Sequence, residues 1–165
     1  MKRFFLLLAL LLAVAAAPVR AGTAVYGTHY SNGSQTNVAS PAGTTNTTGL
    51  MMGLAGALTP LKSGNVLIVI SGDIFNATAI ADGGKVQMRT GTGGAPSNAG
   101  ALAGTVCGGF VNYIASTTAG KAPFTVNCVV TGLAVGTAIW IDVALAAITG
   151  GTATIENVSI SAFEL

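Results

Sequence analysis

The stretch Val66-Leu67-Ile68-Val69-Ile70 is apolar at every position, so a strand built from it can leave neither face to water. Successive strand side chains point to opposite faces, and a sheet with one wet face shows a polar residue at every second place. That alternation is missing here, and charge to supply it is scarce along the whole chain. After Ala21 only nine charged residues occur: Lys62, Asp73, Asp82, Lys85, Arg89, Lys121, Asp142, Glu156 and Glu164. An ordinary soluble domain carries about a quarter of its residues charged, mostly outside. Two-sided apolar strands with so little charge predict a fold whose outer surface is partly buried against other copies or partners. That is the pattern of a structural or surface-assembly protein before it is that of an enzyme.

The N-terminus reads as a secretory signal. Lys2 and Arg3 precede an apolar run from Phe4 to Ala17, and Val19-Arg20-Ala21 supplies short residues for a cut after Ala21. A retained anchor is the rival reading, but about 14 apolar residues are few for crossing a bilayer. The expected organisation is a signal over residues 1–21, a flexible or extended N-terminal arm over 22–47 and a β-sandwich domain over 48–165. The expected location is secreted, periplasmic or cell-surface, with no membrane association once the signal is gone. Lys2, Arg3 and Arg20 leave with the signal, so four basic residues face five acidic ones and no nucleic-acid footprint remains.

From Thr48 onward, short apolar or alternating runs recur between turn signals such as Ser63-Gly64-Asn65, Asp82-Gly83-Gly84 and Thr149-Gly150-Gly151-Thr152. This spacing predicts an all-β chain, an antiparallel β-sandwich of about eight strands. Val86, Met88 and Thr90 alternate with Lys85, Gln87 and Arg89, giving one buried and one wet face. Ile139, Ile141, Val143 and Leu145 alternate instead with Trp140, Asp142, Ala144 and Ala146, so that second face is expected to meet another surface. Trp140, Asp142, Val66, Ile68 and Ile70 are therefore the candidate interface or ligand-contact residues.

Cys107 and Cys128 are the two cysteines of an exported chain, where thiols oxidise. A bridge between them would close a loop of about 20 residues and contribute on the order of 3 kcal/mol. Cys128 shares the inward face of Phe124, Val126 and Val130. The face of Cys107 depends on whether Gly108-Gly109 forms a bulge, and two buried free thiols are the alternative.

Little in the chain carries chemistry, and no catalytic, cofactor-binding or metal-binding residue is expected. Gly91-Thr92-Gly93-Gly94 lacks the Lys-Ser/Thr ending of a phosphate cradle and reads as a β-turn. His29, the single histidine, sits in the arm, and no Gly-x-Ser-x-Gly elbow accompanies it. The five carboxylates are isolated beside turns, where turn formation or pairing with Lys and Arg is the usual role rather than glycoside hydrolysis. Asp73 or Asp82 could meet calcium, but no Asp-x-Asp ligand series exists. Trp140 with Asp142 could stack a sugar, against the plainer reading of an interface or core aromatic.

Four stretches resemble a module of phage tail-fibre or virion-associated proteins and of uncharacterised bacterial exported proteins. They are Ser63 to Ile74, Arg89 to Pro96, Val130 to Asp142, and the ending Asn157 to Leu165. The resemblance covers about residues 48 to 165. It implies a jelly-roll-like sandwich that self-associates as a homo-oligomer, a trimer by preference, without catalytic residues. The functional expectation is a non-enzymatic exported structural or surface-assembly protein. The alternative is a carbohydrate-binding or adhesive module that takes a surface glycan. A third is a pilin-like subunit completed by a neighbour's strand.

Overall fold

The computed structural model describes residues 33–38, 41–76, 78, 82–114 and 120–165. The signal over 1–21, and Tyr26, His29 and Tyr30 of the arm, lie outside the described residues. Among the described residues nine strands follow one another: β1 Gly33–Val38, β2 Leu50–Met51, β3 Gly56–Leu58, β4 Val66–Asn76, β5 Gly84–Thr92, β6 Thr105–Tyr113, β7 Ala122–Val130, β8 Ile139–Ala147 and β9 Ala153–Glu164.

They form two sheets in which every pairing is antiparallel. Sheet A has the order β1-β9-β4-β7, and sheet B the order β2-β8-β5-β6, with β3 also on β8. β2 and β3 are two halves of one edge position, because both pair β8, at Leu145–Ala144 and at Ile141–Ile139 respectively. Eight strand positions in this order, with the chain crossing between sheets, make a jelly roll. The fold class expected from the sequence is the one observed.

The alternation of side chains decides what lies between the sheets. Ile68, Ile70 and Ile74 of β4, Phe124 of β7, and Ile155, Val158 and Ile160 of β9 face Val86 and Met88 of β5 and Ile141, Val143 and Leu145 of β8. Each such side chain contributes about 1.5–3 kcal/mol when fully buried. Val66, Ile68 and Ile70 are wholly buried in this core, so they cannot touch another copy. The expectation for them is corrected: on β4 the outward residues are Leu67 and Val69.

Part of the segment read as an arm joins the fold. Gly33–Val38 adds an edge strand to β9, from Gly33 opposite Phe163 to Val38 opposite Val158, and Thr44 bridges Ala153. On the other side of the sandwich, the glycines after Cys107 form a bulge. Val86 pairs Val111 while Met88 pairs Cys107, so β6 carries two more residues than β5 over this interval. The Gln87 side-chain amide donates to the Gly108 carbonyl at 3.2 Å and holds the bulge. An even insertion keeps the face of Cys107, which bridges to Cys128 across a Cα–Cα distance of 6.1 Å. The disulfide joins β6 to β7, the edges of the two sheets.

Candidate interaction surface

The two outer faces of the sandwich differ in what covers them. Every residue of β8 is buried, including the four that point away from the core. Met51, Trp140 and Ala144 form a second small cluster outside sheet B, with Ala103 and Phe110 packed against it. The connection between β5 and β6 supplies this cover by folding back over the sheet. Met51 donates to the Gly100 carbonyl at 2.9 Å, Ala99 donates to the Met51 carbonyl at 2.8 Å, and the Asn98 side chain donates to the Met52 carbonyl at 3.1 Å. The face expected to meet another surface does meet one, and it belongs to the same chain.

Trp140 is 6% exposed. Its ring lies over Gly91 and Gly104, at whose α-carbons a methyl group would collide with the indole, and its Nε1–H donates to the Thr92 carbonyl at 3.3 Å. Those contacts leave no platform for a sugar, so Trp140 is a core aromatic of the outer layer and its candidacy as a ligand contact is corrected.

Asp142 is fully buried, and its work is structural. One oxygen accepts from the Gly53 amide at 2.9 Å, the other from Leu54 at 3.1 Å and from Val143 at 2.8 Å. These bonds secure the break between β2 and β3, where Gly53 and Ala55 take positive φ values of 67° and 52°. Burial pushes the Asp142 carboxyl above the usual range, and the amides of Leu54, Val143, Gly53 and Met52 pull against that shift.

The other carboxylates are occupied in the same manner. Glu164 accepts from the amides of Leu61, Lys62 and Ser63 at 2.7, 2.7 and 2.6 Å, and more distantly from Gly64. Led by the Leu61 amide and opposed by burial, these donors hold its carboxyl down at about 2. Asp73 accepts from the Asn157 side chain at 2.9 Å, Asp82 from the Thr149 hydroxyl, and Glu156 pairs with Lys121. Asp73 and Glu156 are register partners, the one acidic pair that strand pairing places side by side. Among the described residues, no group of three or more His, Cys, Asp or Glu could hold a metal.

The outer face of sheet A is left open. Phe163, Leu67 and Val129 stand side by side across β9, β4 and β7. Val129 is 50% exposed and Phe163 45%, while Leu67 and the next outward residue of β4, Val69, are half-buried. Leu61 and Leu165 are also exposed at this end of the sandwich, where the Leu61 amide reaches Glu164 and that of Leu165 the Asn65 carbonyl. These residues, not those singled out from the sequence, carry the apolar surface of this face, and Leu102, Val106, Val111, Ile114 and Val135 are exposed elsewhere. The signal was present: once Cys128 and Ala162 are placed inward, their neighbours Val129 and Phe163 must point out. A smaller cleft of about 240 Å³ opens between β6 and β7 beside the disulfide, with Met88 and Val126 lining it along with Gly109 and Asn127.

No family model matches the sequence, and no curated protein matches it. Among solved structures, the chain is similar to the PRD1 vertex protein P5, at 14% identity and a TM-score of 0.44 over 82% of this chain and 97% of that one. It is also similar to the C-terminal CBM6 of LamC from Zobellia galactanivorans, at 15% identity and a TM-score of 0.33 over 81% and 100%. A third is the enzymatically active domain of bacteriophage CBA120 tailspike protein 4, at 11% identity and a TM-score of 0.33 over 78% and 19%. The assignment of a jelly roll rests on the strand order of this chain.

Proposed function

We propose that the protein is a non-enzymatic, exported structural module that self-associates through the outer face of sheet A. One observation carries this reading. The chain covers β8 on the outer face of sheet B with its own residues, yet leaves the Phe163–Leu67–Val129 row open across three adjacent strands of sheet A. With little charge elsewhere to keep copies apart, an exposed apolar row of this kind marks a contact site. The Cys107–Cys128 bridge supports an oxidising compartment. All five carboxylates serve as partners of backbone amides, side chains or Lys121, which supports a structural rather than a catalytic role for them.

The measurement that tests this is the solution mass of the mature chain by size-exclusion chromatography with light scattering. An assembly larger than one copy is expected at micromolar concentration, and a stable monomer would sink the reading. The glycan-binding alternative has lost its Trp140 anchor to the core. The pilin-like alternative needs an open slot beside a strand of the core, and β9 is already paired on both sides, by β1 and β4.

A further inference from the structure

The edge of a sheet presents unpaired amides and carbonyls, and folded proteins blunt such edges with bulges, prolines, charges or very short strands. Two sheets have four edges, and three of them here are blunted. β6 carries the bulge at Gly108-Gly109, and β7 has Pro123 as its second residue. β2 and β3 fill the third edge with two and three residues, interrupted at Gly53 and Ala55. The fourth edge, β1, has no such device. Its six residues pair β9 without a register shift, and Gly-Ser-Gln-Thr-Asn-Val holds neither a charge nor a proline. Among the described residues no strand pairs its other side.

A row of backbone donors and acceptors fits one kind of occupant, a second extended backbone. The chain that precedes β1 arrives at that edge, because Gly33 opens the strand opposite Phe163. Asn32-Gly33 is among the strongest short signals for a hairpin turn, and Val25, Tyr26, Thr28 and Tyr30 before it are strand-forming residue types. Residues 24–31 reach about 26 Å when extended, more than the roughly 20 Å of β1. A strand from a second copy would first have to give up translational and rotational freedom. The covalent turn has already removed that freedom from the preceding segment.

We infer that residues 24–31 fold back about Asn32-Gly33 and pair with the free edge of β1 as a further antiparallel strand of sheet A. A two-residue turn sets Tyr30 opposite Gln35 and Thr28 opposite Asn37, whose partners on β9 are Ser161 and Ser159. Ser161 shares its row with Val69 and Asn127 on the outer face of the sheet. The fold-back therefore widens that face by one strand and brings Tyr30 into its rows, a residue type enriched at contact surfaces. The inference goes beyond the proposed self-association and does not depend on it.

The test follows amide exchange in the chain from Gly22 with its disulfide intact. Adjacent amides of a strand point to opposite sides, so every second amide of β1 faces away from β9. Those amides should exchange about 10-fold or more slowly than in a chain that begins at Asn32. Thr28→Pro and His29→Pro each remove one amide, and only one of these two faces β1. That variant should raise exchange to the level of the shortened chain, and the other should raise it less. Exchange that is equally fast in the chain from Gly22, the shortened chain and both proline variants overturns the inference. So does protection that fades on dilution, which makes another copy the donor of the strand. Protection that survives dilution in a protein with the mass of one copy supports the fold-back and sinks the self-association, so the two readings fail separately.

Discussion

Trp140 lies over two glycines, Gly91, which the sequence reads as part of a turn, and Gly104, which it does not single out. At Gly104, φ is +71° and an added methyl would run into the indole and the Thr90 carbonyl, so both backbone and space demand glycine. At Gly93, φ is +80° but nothing lies within 4 Å. Gly104→Ala should therefore lower stability by about 2–4 kcal/mol, and Gly93→Ala by about 1 kcal/mol. Urea midpoints of the two variants measure the difference, and equal losses would mean that the Trp140 contact contributes nothing. Glu164 shows a second kind of hidden role. In the sequence it is an isolated acid near the end, because the amides it binds lie about a hundred positions away and a backbone N–H leaves no mark in composition. Its ordinary value of 4.5 falls to about 2 in the fold. The stabilisation it provides is complete above about 4.5 and disappears as pH falls toward 2. Thermal melts between pH 6 and pH 2.5 should show a steeper acid decline for wild type than for Glu164→Gln.

At the scale of elements, the strands most legible in the sequence are those whose two faces differ. β5 and β8 alternate as read, since the core imposes a period of two on them. β1 escaped because Gly-Ser-Gln-Thr-Asn-Val has no apolar period, and its place in the sheet comes from backbone pairing with β9. The cover over Trp140 escaped for a related reason: residues 93–104 are mostly glycine, alanine and polar residues, and a loop that folds back has no periodicity to read. The pair Gly108-Gly109 left the facing of Cys107 open, and the two-residue bulge settles it. Because β6 pairs only β5 within its sheet, the disulfide is its main tie to sheet A. Replacing both cysteines by alanine should cost about 3 kcal/mol for a bridge spanning 21 positions. Amide exchange should rise first in Thr105–Tyr113, and a uniform rise over both sheets would contradict this placing of the loss.

For the whole molecule, the scarcity of charge has two causes in two places. Over β8, outside sheet B, the apolar residues are covered by the chain's own residues and need no partner, whereas Val106 on β6 stays exposed. Outside sheet A they remain open, and there the low charge bears on association. Composition cannot separate these cases, because both leave the same residues in the sequence; only the path of residues 93–104 does. A chain shortened to begin at Pro41 would lose β1 and leave one backbone edge of β9 unpaired. Such a chain should aggregate at micromolar concentration in light scattering, whereas a soluble product would show that β1 adds little to sheet A.

The placing of β4 between β7 and β9 also sets a timetable. When Val66–Asn76 leaves the ribosome, neither strand that will flank it has been made, and β9 begins only at Ala153. At about 5–20 residues per second, β4 waits on the order of ten seconds with its edges bare. During that time Val66-Leu67-Ile68-Val69-Ile70 is a β-prone, uncharged segment of the kind that seeds aggregates. The central strand that anchors the finished sandwich is thus the segment of the nascent chain most in need of a chaperone.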